Sequence, residues 1–423
     1  MKLHDLSDRT CGCDESEGAP GLTSLNEALA LCAAETPLVP GVDMLPIGEA
    51  LGRCLSEPVM SRVNVPPFAN SAVDGYAVRC GDLIGPGPCI LPVVDRTAAG
   101  DAPAQLDRIA TVRIFTGAPL PAGANAVVAQ EHVTLRNGIA RFDRLPTVGA
   151  NVRRAGEDMA AGDVILPAGR RIGPRDIAMM AAAGVAEVRV RRRLRIALLI
   201  TGSELVAPGQ EAAPGKINDV NGPMLEALIA QPGVSIVEKA RIGDDLGRLC
   251  AELERLSGAV DLIVTTGGVS VGEEDYLRRA VERIGDRLHF AGVALKPGKP
   301  VSFGRIGTAL WLGLPGNPQA SFVGWHLFGR AIVDALQGAT GKPRKMIVSS
   351  AVNLRHKPGR CELRPARLVG FDLRGRATVT AEAATYSGRV SPLADADGLL
   401  LLPSEADQID TSMLLEFLPF EES

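Results

Sequence analysis

Where the apolar runs of this chain end, glycines, hydroxyls and carboxylates take over, a combination suited to holding a phosphate beside a hard cation. Residues 261–275, DLIVTTGGVSVGEED, carry most of that chemistry. Gly267 and Gly268 permit positive φ and let main-chain N–H groups approach an anion, while Thr265, Thr266 and Ser270 add hydroxyls. Glu273, Glu274 and Asp275 then bring three carboxylates to the end of the loop. A lone glycine turn with capping carboxylates is ordinary turn chemistry, so the case rests on repetition. The run 196–200 empties into Thr201-Gly202-Ser203-Glu204, and the run 310–314 into Pro315-Gly316-Asn317-Pro318. In the second of these, Asn317 is placed as a helix N-cap with Pro318 at the first helical position, leaving free N–H groups toward the same crevice.

Lys296 and Lys299, in ALKPGKP, supply positive charge, because Pro297 and Gly298 make a tight turn from which both ammonium groups can converge on one anion. Glu204, Asp244, Asp245 and the carboxylates of residues 273–275 are expected at the same end of the sheet. Carboxylates facing phosphates repel them unless a hard cation intervenes, which implies Mg²⁺ held by one or two carboxylates and by substrate phosphates. Asp244 and Asp245 also precede a helix, and capping accounts for that pair equally well. Two polar motifs lie elsewhere: residues 66–78, PPFANSAVDGYAV, with Asn70, Ser71 and Asp74, and residues 151–158, NVRRAGED, with two arginines beside Glu157 and Asp158. Each alone reads as a salt-bridge loop between domains.

The elements that must position these groups follow from periodicity. From 194 to 340 apolar strands alternate with helical segments, RIALLIT with NGPMLEALIA, VSIVEKARI with DLGRLCAELERL, DLIVTTG with DYLRRAVERI, and ALWLGLPG with the long segment after it. Such alternation predicts a doubly wound α/β domain with a largely parallel sheet, whose ligands bind at the carboxyl ends of the strands. Leu277, Ala280, Val281 and Ile284 recur at i, i+3, i+4 and i+7, so a helix begins near Asp275. Residues 61–159 alternate short β-type pieces with Gly and Pro turns, which predicts a β-rich domain. Residues 21–60, helical at first through Leu22, Leu25, Ala28, Leu29 and Cys32, combine with 160–193 into a discontinuous linking domain. Residues 341–423 predict a small C-terminal β domain, a barrel or sandwich.

Composition narrows the classes. At 423 residues the chain suggests about three domains. With 46% apolar and only 4% aromatic residues, the core is expected from Leu, Val, Ile and Ala. A net charge of −4 gives no reason to expect nucleic acid, and the basic run 189–195, RVRRRLR, reads as a solvated strand end. Eight scattered cysteines match neither a disulfide framework nor zinc spacing, so a reduced, cytoplasmic protein is expected. Residues 1–20 read as a disordered tail without a signal-peptide core, in which Cys11 and Cys13 have no assigned role, and no run is long enough for a membrane helix.

Taken together, PPFANSAVDGYAV, FTGAPLPAGANAVVAQE, NVRRAGED, TGSEL, TTGGVSVGEEDY, LKPGKP and GLPGNP resemble, in order and approximate spacing, the molybdopterin molybdenumtransferase (MoeA) family, which includes a domain of gephyrin. The resemblance covers residues 22 to the C-terminus. It implies a central molybdopterin-binding α/β domain, a β-rich second domain and a small C-terminal β-barrel. It also implies insertion of molybdate into adenylylated molybdopterin with Mg²⁺-dependent release of AMP. The implied assembly is a homodimer with its cleft between the α/β domain of one subunit and the β-rich domain of the other. Molybdopterin adenylyltransferase and apo-molybdoenzymes are implied partners, and because the pterin brings its own sulfur ligands, scattered cysteines are no objection.

Residue by residue, Asp74 matches the aspartate of DGYA, Thr116 the threonine of TGAP, and Arg153 and Asp158 the VRRxGED motif. Glu204 matches TGxEL, Asp244 the aspartate after the next strand, Asp275 the end of GGVSVGExD, and Lys296 and Lys299 the KPGK pair. Pro315 and Pro318 match PGNP. The resemblance implies catalytic roles for Asp74, Glu204, Asp244 and Asp275, the last three also toward the metal. Substrate contacts are implied for Thr116, Arg153, Asp158, Thr201, Gly202, Gly267, Gly268, Ser270, both lysines and residues 315–318. The chain departs from the common pattern at Ala69, at Ser203, and at Gln319-Ala320-Ser321, where the family often shows Val-Ser-Ala. Two other readings are an adenylyltransferase, which would carry GGTG where this chain has GGVS at 267–270, and a non-catalytic scaffold of the same fold.

Overall fold

The computed structural model describes residues 21–85, 87–268, 276–285, 287–341, 343–383 and 386–420. Ser270, Asp275 and the tail 1–20 lie outside the described residues. A six-stranded sheet organises the α/β part in the order Val234–Ile242, Leu194–Thr201, Leu262–Thr266, Ala309–Leu314, Ser302–Ile306, Arg287–Ala291. The first four strands are parallel, and Ser302–Ile306 pairs antiparallel with both of its neighbours. Leu262–Thr266 and Ala309–Leu314 are buried at every position, which is why they read as unbroken apolar runs. Strand alternation sends Leu198, Ile200, Val264 and Leu312 to one face and Ala197, Leu199, Ile263 and Trp311 to the other.

Each face is covered by helices whose apolar stripes were legible. Leu249, Leu253 and Leu256 of Leu246–Ser257, and Leu277, Ala280 and Val281 of Tyr276–Ile284, join the second face. Leu225 and Ile229 of Asn221–Ile229, with Ile332, Val333 and Leu336 of Arg330–Gln337, join the first. The helix Leu25–Glu35, grouped by sequence with the linking domain, instead buries Leu25, Ala28 and Cys32 in this α/β core.

Two further layers flank it. Val42–Pro46 pairs with Glu187–Arg191, and Val59–Met60 with Val164–Leu166, around a core that includes Leu55, Ile172, Met180 and Val190. The chain leaves and re-enters this layer at adjacent points: Ser61 N donates to Asp163 O, and Gly162 N to Ser61 O, both at 2.8 Å. Between those points lies the β-rich domain, a six-stranded sheet that includes Gly75–Val78, Thr111–Ile114 and Ala126–Ala129.

At the C-terminus, Cys361–Phe371, Ala377–Ala381, Met346–Ser350, Leu414–Pro419 and Gly398–Leu402 pair in turn, and the last pairs back to the first. The five strands close into a barrel, which leaves no edge among them. Leu295–Lys296, from the α/β part, adds outside it in parallel to Cys361–Glu362. Among the described residues no helix is long and apolar enough to cross a membrane.

Candidate active site

A cleft of about 1060 Å³ opens at the carboxyl ends of the parallel strands. Thr201, Gly202, Glu204, Asp244, Gly267, Gly268, Pro315, Gly316, Asn317 and Pro318 all line it. The three strand-end loops singled out by sequence therefore share one cavity.

Their packing depends on absent side chains. Gly267 has φ +91°, and a Cβ there would overlap Thr201 O and lie 2.8 Å from Thr201 Oγ1. Gly202, at φ +143°, leaves room for the Glu204 carboxylate to fold back beneath it, 2.7 Å from where a Cβ would stand. Thr201 Oγ1 donates to Thr266 O at 3.2 Å, joining two neighbouring strand ends. Thr266, 1% exposed, accepts at Oγ1 from Asn221 Nδ2 at 2.8 Å and donates to Pro315 O at 3.0 Å.

The acidic residues divide. Asp245 is the N-cap of Leu246–Ser257, accepting from Arg248 N at 3.0 Å. Asp244 turns toward the cleft: its Oδ2 accepts from Ser203 N at 2.9 Å, and its own N–H donates to Ser203 Oγ at 3.1 Å. Ser203, one of the departures from the common pattern, thus locks Asp244 to the neighbouring loop. Among the described residues no three His, Cys, Asp or Glu side chains form a metal-holding group.

Two expectations are corrected by geometry. Asn317 stands at the N-cap position, but its side chain makes no cap bond; its Nδ2 donates to Ser387 Oγ at 3.0 Å. Gln319 N, one of the amides expected to face the crevice unpaired, donates to Ser387 O at 3.1 Å. The C-terminal segment has taken up these groups, and Gly388 and Val390 line the cleft in consequence. Ser321, the hydroxyl displaced by one position, is fully buried with Oγ 3.2 Å from Thr266 Oγ1, so it serves the loop interlock and not the cavity.

Neither Lys296 nor Lys299 lines the cleft, although Pro300 does. Lys296 Nζ is 3.2 Å from Glu362 Oε2, whereas Lys299 is exposed. The two ammonium groups therefore diverge in their partners.

In the β-rich domain Asp74 and Thr116, 42 residues apart, meet: Asp74 Oδ1 accepts from Thr116 N and Thr116 Oγ1, both at 2.8 Å. The two Thr116 hydrogen bonds, aided by Arg113, hold the Asp74 carboxyl below its ordinary range. Arg153 pairs through its main chain with Asn70, and Asp158 N donates to Val65 O at 3.0 Å, leaving both side chains exposed. None of these four residues lines the strand-end cleft.

Sequence reasoning missed Asp219 and Asn221, which also line it. Asp219, 1% exposed, accepts from Gly222 N at 2.7 Å and Arg241 Nε at 3.1 Å, and Asn221 Nδ2 also donates to Gly316 O at 2.7 Å. The signal was residues 218–222, NDVNG, turn-forming types at a helix start beside a strand end.

Known proteins match along the chain. A model of the MoeA N-terminal region (domain I and II) matches residues 23–184, a probable molybdopterin binding domain matches 197–335, and the MoeA C-terminal region (domain IV) matches 348–420. The molybdopterin molybdenumtransferase of Haemophilus influenzae is 35% identical over 346 residues, 81% of this chain and 85% of that protein. Molybdopterin molybdenumtransferase 2 of Mycobacterium tuberculosis is 34% identical over 383 residues, 88% of this chain and 93% of that protein. The solved MoeA protein of Pyrococcus horikoshii OT3 superposes with a TM-score of 0.81 at 26% identity, covering 94% of this chain and 100% of that one. Three matched regions, a shared multidomain fold and relatives aligned over most of its length place this chain in the molybdopterin molybdenumtransferase (MoeA) family.

Proposed function

We propose that this chain inserts molybdate into the dithiolene of adenylylated molybdopterin, with cleavage of the adenylyl linkage and release of AMP, to give molybdenum cofactor. The observation that carries this reading is the convergence of three glycine-bearing strand ends on one cleft with two open carboxylates. Both Glu204 and Asp244 are exposed there, and neither the Glu204 carboxylate oxygens nor Asp244 Oδ1 has a hydrogen-bond partner among the described residues. Two such carboxylates without a closed cage suit Mg²⁺, which keeps water ligands and takes others from substrate phosphates. When bound, Mg²⁺ supplies neutralisation of phosphate charge at the adenylyl linkage.

The protein's own part is placement. The glycine loops let a phosphate approach main chain, and Asp74 stays ionised through its Thr116 hydrogen bonds. Asp74, Thr116, Arg153 and Asp158 lie outside the cleft of their own chain, so their participation requires a second subunit, and a homodimer belongs to the proposal. A cytoplasmic setting is part of the same reading; Cys32, Cys54, Cys80, Cys89 and Cys250 carry free thiols, whereas Cys361 is disulfide-bonded.

The test mixes purified protein with adenylylated molybdopterin, molybdate and Mg²⁺, and follows AMP together with activation of an apo-molybdoenzyme. Both are expected, and Asp244→Asn, still folded by circular dichroism, is expected to lose about tenfold or more of the rate. A wild-type protein that yields neither product would refute the proposal.

A further inference from the structure

Arg113 belongs to Thr111–Ile114 and stands opposite Tyr76 in the antiparallel pairing with Gly75–Val78. Its Cζ lies 4.9 Å from the centroid of the Tyr76 ring and 5.0 Å from that of Phe115, so two aromatic rings share one guanidinium. Nη1 donates to Gly75 O at 3.4 Å and Nη2 to Gln130 Oε1 at 2.5 Å. Gln130 N in turn donates to Asp74 O at 3.0 Å. The residue that follows Asp74 and the residue that holds its carbonyl are therefore tied together by one side chain. At the carboxylate itself, Thr116 takes Oδ1 with two bonds, and Oδ2 has no hydrogen-bond partner among the described residues.

Packing two rings together needs no cation, and a charge without a partner is a cost there. The hydrogen bonds of Arg113 go to neutral oxygens, and no carboxylate among the described residues forms an ion pair with it. Its charge bears instead on Asp74, which the two Thr116 hydrogen bonds hold low first and Arg113 after them. Of the other charged groups nearby, Glu131 accepts from Gln130 Nε2 at 3.5 Å, and Arg96 is exposed with its Cζ 4.9 Å from the Phe115 centroid. A lysine could bring the charge, but an ammonium has neither a planar face for two rings nor a fork that bridges two acceptors.

We propose that Arg113 is a positioning residue for the reaction: held between the Tyr76 and Phe115 rings, it fixes the turn that carries Asp74 and leaves the second oxygen of that carboxylate to the substrate. The inference rests on the insertase reading above. Its test follows cofactor formation by the purified full chain against each substrate concentration and against pH, for Arg113→Met, Arg113→Lys and Arg96→Met. Arg113→Met is expected to lower kcat about tenfold with both KM values within about twofold of wild type. Its acid limb should move to higher pH, because Asp74 without the neighbouring charge takes up its proton sooner. Arg113→Lys is expected to keep the acid limb and still lose rate, and Arg96→Met, which stacks on the same ring without bonding to the turn, to behave as wild type. A wild-type kcat in Arg113→Met overturns the proposal, as does a loss confined to the KM of one substrate or one matched by Arg96→Met. Should Arg113→Met fail to fold, Arg113→Lys decides: a lower kcat at an unmoved acid limb upholds the proposal, and a wild-type kcat overturns it. An active wild type indifferent to Arg113 defeats this inference alone, whereas an inactive wild type defeats the insertase reading with it.

Discussion

Asp74 shows how one neighbouring residue can set the working range of a carboxylate, through its main-chain N–H first and its hydroxyl second. Two hydrogen bonds from Thr116 hold its carboxyl low, so the charge persists as pH falls and is lost only on passing through the depressed value. Thr116→Val deletes the Oγ1 donor but keeps the main-chain one, and is expected to move the Asp74 titration upward toward the ordinary carboxylate range. An NMR titration of the Asp74 side chain checks this directly, and the acid limb of the rate profile should move in the same direction if Asp74 acts in the reaction. Legibility at this scale was uneven. The types at 74 and 116 were visible in their motifs, but their meeting was not, because turn chemistry does not report contacts across 42 positions. Asp219 and Asn221 were hidden for the opposite reason: their local surroundings explain them fully as turn and helix-start residues.

Among elements, Thr266 is the joint where a strand end, the helix Asn221–Ile229 and the loop at Pro315 meet. Thr266→Val keeps the shape but removes an acceptor from Asn221 and a donor from Pro315 O. A loss of about 1–3 kcal/mol is expected in denaturant unfolding, since the buried partners are left unsatisfied. Val234–Ile242, at the sheet edge, is only partly buried, but the other three parallel strands were readable because each carries a run of apolar residues buried on both faces. The antiparallel pair, Ser302–Ile306 and Arg287–Ala291, was not, because Ser302, Gly304 and Arg305 interrupt one run and the other is only partly buried. The same limit explains the N-terminal helix, whose stripe was evident but whose partner was not: Leu25, Ala28 and Cys32 specify a buried face without naming the core that receives it.

At the level of the whole molecule, the two groups of polar residues belong to different parts of the chain, and the dimer proposal follows from that separation. Co-expression of an Asp74→Ala chain with an Asp244→Ala chain distinguishes the arrangements. If each site is shared between subunits, random pairing makes half the dimers mixed, each with one intact site, and roughly a quarter of wild-type activity should return. Activity no greater than that of either variant alone would mean that the two residues act within one chain or not in one reaction. The crossings at Ser61 and Gly162–Asp163 add one more consequence. Because the chain departs and returns at hydrogen-bonded neighbours, residues 61–159 form an insertion whose ends already touch. In evolutionary terms that domain is a cassette: it can lengthen, drift or be exchanged without shifting the register of the sheet that shapes the cleft, so the two groups of polar residues are free to diversify at different rates.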